Sequence, residues 1–271
     1  MTPVPLWGVD FSSAPSARKP IVVATGLRSG AVLRLQGLQS LTRLVDFETL
    51  LATPGPWLGA FDFPFGLPRA FVQAQQLGDT AAAVISELQR RCTTRMAFRA
   101  LVDGWGNTQP AGQRLLHRAT DGAMPGVRST SPLQTRYVPV GFMYYEGFSR
   151  LMQAGVHAPG LANGDPHRTA LEGYPGLVAH QLIGRRSYKN DDSSERLLAR
   201  KDIVEALEQG RTTLGLRLKL TPAQAGVLVA DPSGDALDAV LCLAQAAWAS
   251  VQPRHGQPEQ VDAVEGWITG A

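Results

Sequence analysis

The chain has 271 residues, 44% of them hydrophobic and 18% charged, enough apolar material for one large domain and too much for a disordered chain. Its two cysteines, Cys92 and Cys242, lie far apart, which excludes a disulfide framework and a Cys-x-x-Cys metal knuckle and points to a reducing, cytoplasmic setting. A net charge of +3 suits contact with phosphates without requiring it. The start Met1-Thr2-Pro3-Val4-Pro5 lacks the basic head and long apolar core of a leader, and Asp238 and Gln245 interrupt the most apolar stretch before it could span a bilayer.

Leu6-Trp7-Gly8-Val9-Asp10 is an apolar run that ends in a carboxylate, followed by Phe11-Ser12-Ser13-Ala14-Pro15. It reads as a buried strand delivering Asp10 to a sheet edge, where open sheets place their chemistry; an ordinary turn fits the same residues. Pro20 to Leu27 and Ala31 to Leu38 flank Arg28-Ser29-Gly30 and predict a hairpin, which with the first strand makes a three-strand meander. Ser40 is placed to cap a helix whose apolar positions Leu41, Leu44, Val45, Phe47, Leu50 and Leu51 recur at helical spacing before Pro54-Gly55-Pro56 stops it. The next strand, Trp57 to Asp62, again ends in an acid. A helical crossover can lay it parallel to an earlier strand. If that neighbour is the first strand, Asp10 and Asp62 stand side by side and repel each other unless a cation intervenes or one takes a proton. Asp62 also fits as a cap for the loop or helix beginning near Pro68.

From about 71 to 161 the pattern is mostly helical and irregular. A helix is predicted over Phe71 to Arg91, and Gly104, Gly106, Pro110, Gly112, Gly122, Pro125, Gly126 and Pro132 break up much of the segment beyond it. Between Arg90 and Arg136 there are eight arginines and two aspartates, a net of six positive charges without a lysine. Such a segment suits fork-like contacts with phosphate oxygens, and the shortage of local acids favours an anion-facing lid over a self-paired surface.

Thr169 to Glu172 reads as a further strand with an acid at its end, and a helical run from Gly176 to Ile183 comes after it. Glu195 to Glu208 has the spacing of another helix. Lys189 and Arg196 suit phosphate or, equally, a solvated surface. Asp231-Pro232-Ser233-Gly234 signals a helix start with Asp231 as cap. The helix it opens is apolar around its circumference and must be buried. Asp235 and Asp238 share one of its faces. First-turn acids are favoured by the helix dipole, but from an Asp231 start Asp238 lies about two turns in, and a buried carboxylate needs a partner, a metal being one candidate.

In this order, Asp10 after a first strand, D-F-P-F-G-L-P around Asp62, E-G-Y-P at Glu172, Y-K at Tyr188-Lys189, D-A-L-D-A at Asp235 to Ala239 and E-G-W-I at Glu265 to Ile268 resemble the DUF429 family. That family is regarded as predicted nucleases of the ribonuclease H-like superfamily. The resemblance covers the meander and the C-terminal half, and little of the Arg-rich middle. It implies an α/β fold, a mixed five-stranded sheet flanked by helices, in a single domain over 1–271 with a largely helical insertion at about 71–161. It also implies Asp10, Asp62, Glu172 and the Asp235/Asp238 pair as acidic ligands for Mg²⁺ or Mn²⁺. The second acid ends a strand, closer to the Holliday-junction resolvase arrangement than to ribonuclease H proper, where it is a helical Glu.

Magnesium and manganese prefer oxygen ligands, and several carboxylates can hold two such ions, which activate a water and steady the leaving oxygen during in-line attack on a phosphodiester. On that reading Asp10, Asp62, Glu172 and Asp238 are catalytic, with Asp10 the shared ligand. Ser12, Arg95, Arg99, Arg118, Lys189 and Arg196 are candidates for holding the phosphates of a nucleic acid, DNA or RNA. The five histidines form no zinc spacing, and neither a G-x-S-x-G elbow nor a P-loop is present, which disfavours zinc, serine and P-loop hydrolases. Two alternatives remain. A nucleotide-binding phosphotransferase of the actin and sugar-kinase type shares the core fold, but it would want a glycine where Phe11, Ser12 and Ser13 stand. A non-catalytic nucleic-acid-binding protein with the same fold is the other.

Overall fold

The computed structural model describes residues 4–271, so the first three positions of the Met1 to Pro5 start lie outside the described residues. The meander forms as expected: β1 (Leu6–Asp10) and β3 (Val32–Leu41) both pair antiparallel with β2 (Ile21–Ser29). The hairpin turn is tighter than the expected Arg28-Ser29-Gly30. Pairing runs to Ser29↔Val32, because Gly30 takes a left-handed φ of +58° that closes a two-residue turn without a side-chain clash. The helix expected to start at Ser40 starts later, since Ser40 and Leu41 pair with Val22 and Ile21. That helix is α1 (Leu44–Leu51). It crosses over to β4 (Trp57–Asp62), which lies parallel to β1.

The expected helix over Phe71 to Arg91 is two helices, α2 (Arg69–Ala74) and α3 (Ala81–Arg91). Gln76 and Gly78 have positive φ between them, and the Thr80 hydroxyl caps α3 by accepting from the Ala83 N–H. Gly104 and Gly106 do not break a helix but lie inside α4 (Arg95–Asn107). Another helix, α5 (Val140–Gln153), comes after the loop segment. Beyond it lie β5 (Val156–His157), β6 (Asp165–Glu172), α6 (Pro175–Ile183), α7 (Ser194–Glu208), β7 (Arg217–Lys219), α8 (Pro222–Ala230) and α9 (Asp235–Ala249). Asp231 ends α8 instead of opening α9. Its carboxylate accepts from Ser233 and from the Ala236 N–H, so α9 begins at Asp235 and Asp238 falls in its first turn.

Among the described residues the sheet is mixed and has seven strands, in the order β5-β6-β4-β1-β2-β3-β7, two more than expected. The additions, β5 and β7, have two and three residues, too few to leave a periodic pattern in the sequence. Side chains alternate across a strand, and the two faces fill separately. Trp7 and Val9 of β1, with Trp57 and Phe61 of β4, pack against Phe47, Ile85, Phe98 and Phe148 of α1, α3, α4 and α5. On the other face Leu6 and Leu58 meet Val178, Ile203 and Val240 of α6, α7 and α9. Gly8 sets the distance of α9 from the sheet: a Cβ there would lie 2.1 Å from Ala239 O and Leu243 N, so strand and helix backbones touch directly. Among the described residues no helix is long and apolar enough to cross a membrane.

Candidate metal centre

Parity and register bring two of the predicted acids together. Leu6, Gly8 and Asp10 face α9, as do Leu58, Ala60 and Asp62, and the parallel pairing sets Asp10 beside Asp62 at the ends of β1 and β4. The first turn of α9 adds Asp238. Carboxylate oxygens of Asp10, Asp62 and Asp238 all lie within 4.8 Å of one another. Asp10 and Asp238 are buried and Asp62 is half-buried.

This cluster is short of positive charge. Asp238 is the satisfied member: Tyr188 donates its hydroxyl to Oδ1, and Lys189 Nζ lies 2.5 Å from Oδ2. Asp235, the expected fifth acid, is held 2.5 Å from Lys19 Nζ and stands outside the triad. Among the described residues Asp10 Oδ2 is buried with no hydrogen-bond partner. Burial, then the charges of Asp238, Asp62 and Asp235, push the Asp10 carboxyl well above the usual carboxylate range, against the pull of Lys19. Burial likewise carries Asp62 up to about 7, although Lys189 works against it. Burial alone would lower both lysines, but Asp238 and Asp62 around Lys189, and Asp10 and Asp235 around Lys19, raise them instead, so both stay charged. Four carboxylates therefore face two ammonium groups. A buried, unpaired carboxylate oxygen is costly unless something supplies charge or a proton, and an all-oxygen donor set suits Mg²⁺, Mn²⁺ or Ca²⁺ rather than a softer ion.

Glu172 departs from expectation. It stands at the end of β6 on the same sheet edge, but its register partner is Phe61, which points away from α9. Glu172 therefore faces the opposite side of the sheet, and Gly173, whose N–H bonds to Phe61 O, occupies the place from which a side chain would reach toward Asp62. On its own face Glu172 is fully engaged. Arg118 donates to it at 2.5 and 2.8 Å, and the Phe65 N–H donates at 2.9 Å. Arg118 also bonds to Asp121 and to Glu265 O, and the C-terminal Ile268 bridges to Glu172. Arg118, predicted to hold substrate phosphate, is a buried tie that joins the D-F-P-F-G-L-P loop, β6, the E-G-W-I segment and the Arg-rich segment.

The remaining predicted phosphate contacts divide. Ser12 is buried beside Asp10, and Lys189 reaches the acid cluster. Arg95 lies over the Phe142 ring and 3.5 Å from Ser13 O, whereas Arg99 stacks on the same ring and donates to Thr135 O. Arg196 is turned to the Lys189 carbonyl and acts on the loop rather than at the centre. The segment expected to lack partners finds several: Arg90 and Arg91 pair with Glu87, just ahead of that segment, Arg118 with Asp121 and Glu172, and Arg136 with Asp103. Lys19 is a site residue that the sequence pattern does not reveal, and Tyr188, noted as part of the Y-K motif, gives no sign of its bond to Asp238. Lys19 sits in a Ser- and Pro-rich loop that gives no sign of Asp235. Comparison with family models, with curated proteins and with solved structures finds no match for this chain.

Proposed function

We propose that the chain is a divalent-metal-dependent hydrolase of phosphodiester bonds in nucleic acid, with Asp10, Asp62 and Asp238 as its metal ligands. The observation that carries this reading is the buried, unpartnered Asp10 Oδ2 within a triad whose oxygens converge to 4.8 Å. Groups so placed are costly to the fold without a ligand, which is the usual mark of a site kept for function. The bound ion would supply Lewis acidity and a nucleophilic water at neutral pH. The protein's own part is positional. Asp10 and Asp62 are fixed by strand register and Asp238 by the start of α9, while Tyr188 and Lys189 hold the Asp238 carboxylate in one orientation. Arg95, against Ser13 O on the loop that leaves Asp10, offers a guanidinium to a backbone phosphate. In this reading the five strands β3-β2-β1-β4-β6 are the ribonuclease H-like core that the family resemblance implies, and β5 and β7 are edge additions. The buried Phe11-Ser12-Ser13 after β1 offers no open glycine loop for a nucleotide, which disfavours the phosphotransferase.

The test is a titration with Mg²⁺ and Mn²⁺ of the native chain and of Asp10→Asn, paired with cleavage assays on single strands, duplexes, hybrids and branched junctions. Ion binding and cleavage that vanish together in Asp10→Asn are expected. An Asp10→Asn protein that still binds the ion and cleaves would sink the assignment.

A further inference from the structure

The centre holds more than acids. Lys189 reaches it from the loop between α6 and α7, and that loop is built to deliver it. Arg200, fully buried on α7, donates to Tyr188 O and Asp191 O, and Arg196 donates to Lys189 O. Gly234, just ahead of α9, has a left-handed φ of +78°, and a Cβ there would come within 2.6 Å of Lys189 Cβ. Glycine is thus required both for the turn and for the lysine's close approach. Two arginines hold the carbonyls of Tyr188, Lys189 and Asp191, which fixes the stretch of loop that carries the lysine. The side chain is 39% exposed, and its ammonium lies 2.5 Å from Asp238 Oδ2.

Charge counting then limits what the centre can take. With all four ionised, as a bound ion would keep them, Asp10, Asp62, Asp235 and Asp238 stand against Lys19 and Lys189, an excess of two negative charges, which one divalent ion cancels. A pair of ions about 3.5–4 Å apart, as in two-metal sites, would leave the cluster positive. Such a pair would also have to compete with Lys189 for Asp238 Oδ2 and with Lys19 for Asp235. We propose that this is a one-ion centre in which the Lys189 ammonium stands in for a second cation, steadying Asp238 and binding an anionic phosphate oxygen of the substrate. Lysine serves this purpose as a compact point charge with three donors. The proposal rests on the metal-site reading given above.

Calorimetry and electron paramagnetic resonance with Mn²⁺ alone decide the stoichiometry, and inorganic phosphate added to the Mn²⁺-loaded protein reports the second role. The native chain is expected to take one ion. Lys189→Met is expected to bind that ion about tenfold tighter, because a like charge has been removed from its neighbourhood. The same variant should bind phosphate at least tenfold more weakly, and Lys189→Arg should keep both native values. Two ions in the native chain would overturn the proposal, as would a Lys189→Met protein, folded by circular dichroism, with native affinities for Mn²⁺ and phosphate. Failure of the native chain to bind any Mn²⁺ would instead remove the metal site itself.

Discussion

Two acidic clusters stand on opposite sides of the same sheet edge, a few residues apart, and they are finished differently. On the α9 side Asp10, Asp62 and Asp238 converge with a buried oxygen left over. On the other side Glu172 and Asp121 are saturated by Arg118, backbone N–H groups and the Ser129 hydroxyl. Asp10, Asp62 and Glu172 all stand at strand ends, and a sequence pattern treats them alike. What separates the clusters is whether every carboxylate oxygen meets a donor: those of Glu172 and Asp121 all do, whereas Asp10 Oδ2 does not. A cluster whose oxygens are all met is a joint, and one that leaves a buried oxygen unmet is a socket.

The sharpest way to break this contrast is Arg118→Met. It strands Glu172 and Asp121 as buried charges, and removing one partner of a buried pair costs on the order of 3–5 kcal/mol. Denaturant unfolding should show a loss of that order, whereas a loss below about 1 kcal/mol would mean the saturated cluster is not a joint. Next is Gly8→Ala, whose Cβ would collide with the α9 backbone. Overpacking predicts a cost of about 1–3 kcal/mol together with weaker Mn²⁺ binding, since Asp238 moves away from Asp10. A stability loss with unchanged metal affinity would detach the centre from that contact.

Acidity gives the third test. Asp62 is carried from 3.8 in the unfolded chain to about 7 in the fold, and Asp10 also upward. The folded state therefore holds protons that the unfolded chain has released. The resulting stabilisation is complete below the unfolded value of 3.8 and is lost as pH rises to about 7, and beyond that for Asp10. Thermal melts of the metal-free protein should show a decline on the order of 4 kcal/mol across that window, at about 1.4 kcal/mol for each pH unit, with Mg²⁺ restoring stability at pH ~8. A flat profile would show that the acids are satisfied without an ion. The smallest effect is the most telling in sign: Asp62→Asn should stabilise the metal-free protein at that alkaline pH by ~1–2 kcal/mol while weakening ion binding, the usual exchange at a site held for function. Destabilisation by the same change would place Asp62 in the same class as Glu172.

Much of the centre is legible in the sequence. Asp10 and Asp62 announce themselves as acids at the ends of apolar runs, and the helical α1 crossover makes their strands parallel neighbours. Asp238 stands out as a charge in a helix with no further polar residue until Gln245. Glu172 misleads because a strand end specifies an edge but not a face. The side is settled by register with β4, and a one-residue difference turns it over. Arg118 escapes recognition because its decisive partner is 54 residues away. Composition supplies that segment's charge but does not tell a buried guanidinium from one waiting for phosphate. The edge strands β5 and β7 leave no trace because pairing partners, not propensity, make two or three residues a strand.

At Gly8 the sheet and α9 meet main chain to main chain, with no side chain interposed. The spacing between Asp10 and Asp238 is thus inherited from backbone geometry and owes little to which apolar residues surround it. Exchange of Leu, Ile and Val in the flanking core should therefore leave the separation of the acids unchanged, so long as position 8 keeps its hydrogen.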